Sequence, residues 1–100
     1  MPEDKDGKML KEFSYALGDL QDKYRDLGPL DREEMRPVLE EAFARYQNYR
    51  LMLLGGPVSV TAEDLALMRI ITEEINAAAS KQSLITAIGR LIGFIVPKIV

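Results

Sequence analysis

One hundred residues, 47% apolar and 29% charged, suffice for one domain with a single core. Folding such a chain hides roughly 65% of the surface that its extended form exposes. The chain has no Cys, His or Trp, which excludes thiol chemistry, disulfides, zinc sites of the usual kind and mechanisms that need an imidazole.

Residues 1–7, with Glu3, Asp4, Lys5, Asp6 and Gly7, read as a disordered lead to one helical domain over 8–100. The first helix carries Leu10, Phe13, Leu17, Leu20, Tyr24 and Leu27 as an unbroken heptad seam. Gly28-Pro29 predicts its stop, with Gly28 at a left-handed cap. Asp31 and Glu34 have capping-box spacing for a second helix with the stripe Met35, Leu39, Ala42, Tyr46, Tyr49 and Leu53. Pro37 conflicts with that start, so the favoured reading makes Asp31–Met35 a separate turn and begins the main helix near Arg36. Gly55-Gly56-Pro57 ends this helix.

Val58-Ser59-Val60 is extended, but no second β run exists to pair with it. Thr61 then caps a third helix, with Asp64 as the reciprocal partner and Val60 against Leu65 as a hydrophobic staple. Its apolar face is Leu65, Met68, Ile71, Ile75 and Ala78. A break near Ser80–Ser83, with Ser83 as cap, opens a fourth helix that Pro97 ends after Val96. The expected fold is an all-α four-helix bundle. The alternative keeps three helices, the last a long C-terminal rod whose far end only a dimer could bury.

No motif carries chemistry. Glu-x-x-His pairs and phosphate-binding Gly loops are absent, and Asp4-Lys5-Asp6-Gly7 fails as a calcium loop for want of carboxylates at the flanking positions. The pairs Glu33-Glu34, Glu40-Glu41, Glu63-Asp64 and Glu73-Glu74 are adjacent, so on a helix their side chains diverge by about 100° instead of sharing a site. The expectation is therefore no enzyme, no cofactor and no metal. With no group that ordinarily titrates near neutrality, any activity should change little between about pH 6 and 8. A net charge of −3 argues against nucleic acid as a partner.

Charge is unevenly divided. Residues 1–74 hold 10 basic and 16 acidic side chains, whereas 75–100 hold Lys81, Arg90 and Lys98 and no acid. Eleven of the 17 residues in 84–100 are apolar, and one polar line of Ser83, Thr86, Arg90, Gly93 and Pro97 runs along them. A helix apolar over most of its circumference needs cover on more than one side. It can be the central helix of the bundle, an association helix, or an amphipathic helix on a membrane surface. Gly89-x-x-x-Gly93 permits close helix packing, within the bundle or between chains.

The polar, acidic start lacks signal-peptide character, and Leu84–Val96 would reach only about 20 Å, so a cytoplasmic protein is expected. The function expected is binding to a protein partner or to itself, as an adaptor, inhibitor or immunity-type protein, with a homodimer favoured. Arg90, Ile92, Phe94 and Ile95 are the candidate association residues, with Tyr46 and Tyr49 as anchors. The rival reading is a peripheral membrane protein that uses 84–100.

Overall fold

A computed structural model describes residues 5–56 and 58–99 and shows four helices: α1 Lys5–Arg25, α2 Pro29–Gly55, α3 Ala62–Ala77 and α4 Lys81–Ile99. Among the described residues there is no strand. The bundle expected from the hydrophobic spacing is the fold observed, and α3 and α4 are separate helices.

α1 packs chiefly on α3 and α2 on α4, with smaller contacts between α1 and α2 and between α3 and α4. Lys23, near the end of α1, donates through Nζ to the Ala78 carbonyl just past the end of α3, at 2.9 Å. Those two helices therefore run in the same direction. Lys81, at the start of α4, reaches Asp31 at 3.4 Å and Glu34 at 2.7 Å in the first turns of α2, so α2 and α4 also run together. The link from α2 to α3 consequently crosses the end of the bundle diagonally. The molecule is elongated, 45 × 23 × 18 Å.

The core runs along this axis. α1 contributes Met9, Phe13, Ala16, Leu17 and Leu20, and α2 contributes Met35, Ala42, Tyr49 and Leu53. α3 adds Leu65, Met68, Ile71 and Ile75, and α4 adds Leu84, Ala87, Ile88, Leu91, Phe94 and Ile95. Four rings from three helices meet inside it. Phe13 lies 5.1 Å from Tyr46, 5.5 Å from Tyr49 and 6.3 Å from Phe94, and Tyr49 meets Phe94 edge-on at 6.3 Å.

Several helix ends differ from their sequence reading. Lys5–Gly7 are helical, so the lead expected to be disordered is part of α1 from Lys5 onward; residues 1–4 lie outside the described residues. Gly28 has φ −66 and ψ 164, extended rather than left-handed, and serves as the N-cap of α2, with Pro29 in its first turn. Asp31 does not cap; it and Glu34 receive Lys81 instead. Pro37 lies within α2 and does not end it. Both Pro37 and Glu33 are exposed, so the carbonyl deprived of its N–H partner is on the solvent side.

The other ends follow recognisable caps. Gly56, at φ 90, closes α2 in the left-handed conformation, its N–H donating to the Met52 carbonyl. The Thr61–Asp64 capping box is present in both directions at 3.1 Å, and Val60 and Leu65 are both buried beside it. The cap of α4 is Ser80, not Ser83: the Ser80 N–H donates to Ser83 Oγ and the Ser83 N–H to Ser80 Oγ, each at 3.1 Å. Pro97 sits inside the last turn, so α4 reaches Ile99 instead of stopping at Val96.

Candidate interaction surface

α4 owes its position to both apolarity and charge. Each of its three cations is paired with a carboxylate of a flanking helix. Lys81 holds Asp31 and Glu34 on α2, Arg90 Nη1 holds Glu74 Oε2 on α3 at 2.7 Å, and Lys98 Nζ holds Asp64 Oδ1 on α3 at 3.0 Å. The basic excess of the C-terminal segment is thus spent against the acidic excess of the rest. Lys98 Nζ also lies 4.6 Å from the centre of the Phe94 ring. Burial works against ionisation of the Asp64 carboxyl. The Lys98 and Thr61 hydrogen bonds and the Lys98 charge outweigh it and hold Asp64 below its ordinary value. For the Lys81 ammonium, the Glu34 hydrogen bond and charge, followed by Asp31, raise it above its ordinary value.

The six candidate association residues separate into two groups. Ile95 and Tyr49 are 0% exposed and Phe94 is 7% exposed, so these three are packed in the chain's own core and are not on a free surface. Tyr46 and Ile92 are half-buried and pack against that core. Arg90 is exposed and engaged with Glu74, whose other oxygen, Oε1, is buried without a hydrogen-bond partner. The broad apolar circumference of α4 is therefore covered largely by α2 and α3.

Close packing within the bundle at Gly89 and Gly93 is not observed. Both glycines are exposed, and a Cβ built on either meets nothing within 4 Å. By itself, α4 spans 19 residues, or about 28 Å, and is long and apolar enough to cross a membrane, unlike the segment ending at Val96.

Exposed large apolar side chains are spread over three helices, with Tyr15 on α1 and Leu30 at the start of α2 among them. Leu67 (40%) and Ile70 (49%) protrude from α3, and Leu51 (66%) and Leu54 (65%) from the end of α2. Leu67 stands over a groove between α3 and α4 that is lined by Ile71, Arg90, Gly93 and Phe94. The signal was available in the sequence: Leu67 and Ile70 are large aliphatics off the stripe of Leu65, Met68, Ile71 and Ile75, and an off-stripe aliphatic has no internal partner by default.

Among the described residues no group of three acidic side chains converges on a point that could hold a metal ion. The fold and this surface define an all-α four-helix bundle with an apolar groove on its α3–α4 side. Comparison with protein-family models, with curated proteins and with solved structures found no match.

Proposed function

We propose that this chain is a non-catalytic helical protein that acts by binding a protein, either a partner or a second copy of itself. The observation that carries the reading is Leu67, a large aliphatic side chain exposed at an open groove lined also by Phe94 and Ile71, with Ile70 exposed on the next turn of α3. Exposed aliphatics grouped at a groove and rimmed by charge, here Arg90 and Glu74, are the usual composition of an interface centre and its rim.

The experiment is sedimentation of the intact protein over a range of concentrations beside Leu67→Glu/Ile70→Glu. Both positions face solvent, so the double variant keeps its fold. Self-association in the wild type that the variant loses supports the groove as the interface. Unchanged association in the variant removes the groove from the reading.

A second reading, a peripheral membrane protein that releases α4 onto lipid, is favoured by the length and apolarity of that helix. Co-sedimentation of the intact chain with vesicles of mixed zwitterionic and anionic lipid separates it from the first. Binding that Leu67→Glu/Ile70→Glu leaves intact favours α4 on the membrane.

A further inference from the structure

The link from α3 to α4 is built from residues that favour helix. Ala77, Ala78 and Ala79 are of the best helix-forming type, and no Gly or Pro occurs between Ala62 and Ile88. The apolar stripe also continues through the link at helical spacing, from Ile75 and Ala78 to Ile85 and Ile88. Yet α3 stops at Ala77, and Ala78 is extended, with φ −63 and ψ 120.

The hydrogen bonds that hold this bend are almost all local: the Ser80–Ser83 cap with its paired hydroxyls, the bonds of Ser83 Oγ and the Leu84 N–H to the Ser80 carbonyl, and the Ala78 N–H to the Ile75 carbonyl at 3.2 Å. From outside the link, Lys23 donates to the Ala78 carbonyl, and the Ala78 side chain is buried in the core. Openings flank it on two sides. A crevice of about 220 Å³ lies on one side, between Lys23, Leu27, Ala78 and Leu84. An open groove lined by Glu74, Ala77, Ser83 and Thr86 lies on the other.

We propose that two copies of this chain exchange α4. In each, α3 and α4 straighten through Ala78–Ser80 into one helix over 62–99, about 57 Å long. Each α4 then docks on the partner's α1–α3 unit, in the place that the partner's own α4 has left. The occupant is a second copy because α4 fits a surface that only this chain is shown to present. Arg90 to Glu74, Lys98 to Asp64, and Lys81 to Asp31 and Glu34 all re-form between chains, as does the packing of Leu91, Phe94 and Ile95.

α4 runs antiparallel to α3, as the pairs Glu74–Arg90 and Asp64–Lys98 show, so two straightened helices laid antiparallel reproduce both pairs at once. Small side chains at Ala77–Ala79 let the two rods cross closely at the two-fold axis. Straightening gives up the Ser80–Ser83 cap and the Lys23 bond to the Ala78 carbonyl, and gains continuous helical hydrogen bonding across Ala77–Ala79. The exchange does not use the Leu67–Ile70 groove, so it goes beyond the proposed function and stands or falls separately from it.

The test refolds the intact protein from denaturant at low and at high concentration, using an equal mixture of isotopically labelled and unlabelled chains. Chain mass in solution is measured, and a zero-length carbodiimide then joins Lys98 to Asp64 and Lys81 to Glu34 by amide bonds. Exchange gives a dimer at high concentration in which these links join labelled to unlabelled chains. Ala79→Pro suits the extended Ala78 before it, whereas in a continuous helix it would leave the carbonyl of buried Ile75 without its N–H partner. The exposed Glu33 carbonyl opposite Pro37 makes good the same loss with water, so only the Ala79→Pro variant should remain monomeric with links within the chain. Ser80→Ala/Ser83→Ala removes the cap that holds the bend and should raise the dimer association constant roughly tenfold or more.

Two results overturn the exchange and leave the groove reading standing: a dimer whose Lys98–Asp64 links are all within one chain, and a dimer that Ala79→Pro retains. Chains that stay monomeric at every concentration, in the wild type and in Ser80→Ala/Ser83→Ala alike, overturn the exchange together with any self-association.

Discussion

Removing a single oxygen atom from the core should stabilise this protein. Tyr49 is completely buried, ringed by Phe13 and Phe94, and its hydroxyl has no hydrogen-bond partner. Burial, with smaller contributions from the charges of Asp64 and Asp6, pushes its ionisation up to about 12. Leaving a buried hydroxyl unpaired costs about 1–3 kcal/mol, whereas an apolar group of the same shape carries no such penalty. Tyr49→Phe keeps the ring, its rotamer and its contacts, so the expected gain is about 1 kcal/mol, the lower end of that range. For a domain of this size that raises the melting temperature by about 4–8 °C in calorimetry at neutral pH.

The same group gives the variant a signature in alkali. Because the folded-state value lies above the ordinary 10, the tyrosine's contribution is fully present below pH 10 and is lost as pH rises towards about 12. Tyr49→Phe should lack this part of the alkaline loss, which amounts to about 2–3 kcal/mol from the size of the shift. A melting temperature that falls by several degrees at pH 7 would refute the reasoning, since it would mean that the hydroxyl is bonded after all, to a buried water for example.

Other outcomes follow from the same structure. Ile95→Asp places a charge at a fully buried position and should unfold the chain in circular dichroism instead of yielding a folded monomer; a cooperative melt at the wild-type temperature would contradict the burial. Gly93→Ala should stabilise by about 0.5–1 kcal/mol in urea, because the added methyl meets no neighbour and the helix is favoured; a loss of stability would show that something else packs there. Asp64→Asn keeps an oxygen for the Thr61 N–H but removes the charge that faces Lys98 and the first turn of α3, and should cost about 0.5–1 kcal/mol at neutral pH. Because Asp64 is held below its ordinary 3.8, its contribution is present above that value and is lost as pH falls through the lower folded-state value. The difference between wild type and Asp64→Asn should therefore shrink in strong acid, and a difference that grows there would refute the assignment.

Most of the architecture was legible because local signals agreed with packing. The seam of α1 is buried at Phe13, Leu17 and Leu20, and Thr61–Asp64 caps α3 as its spacing implied. Met9 and Ala16 were missed, since the core reaches one residue to the side of a strict heptad. Pro37 misled because the cost of an internal proline depends on whether the abandoned carbonyl meets water, and only the fold decides that.

The interaction surface was less legible for a related reason. A helix apolar on several sides announces that it needs cover, but not whether α2 and α3 or another chain supplies it. Phe94 and Ile95 turned out to be covered from within, while Leu67 and Ile70, on a helix with an ordinary stripe, were not. Ala77–Ala79 looked helical and bends nonetheless, because the Ser80–Ser83 cap acts just beyond it.

The central claim is that α4 packs as a core helix of the bundle and does not lie on its surface. Native-state hydrogen exchange of the intact protein, read amide by amide, tests it most directly. The amides of Leu84, Ile88, Leu91 and Ile95 should exchange only with global unfolding, at the slow rate of Phe13 on α1 and Ile71 on α3. Exchange along α4 as fast as at the chain ends, with α1–α3 still protected, would contradict it.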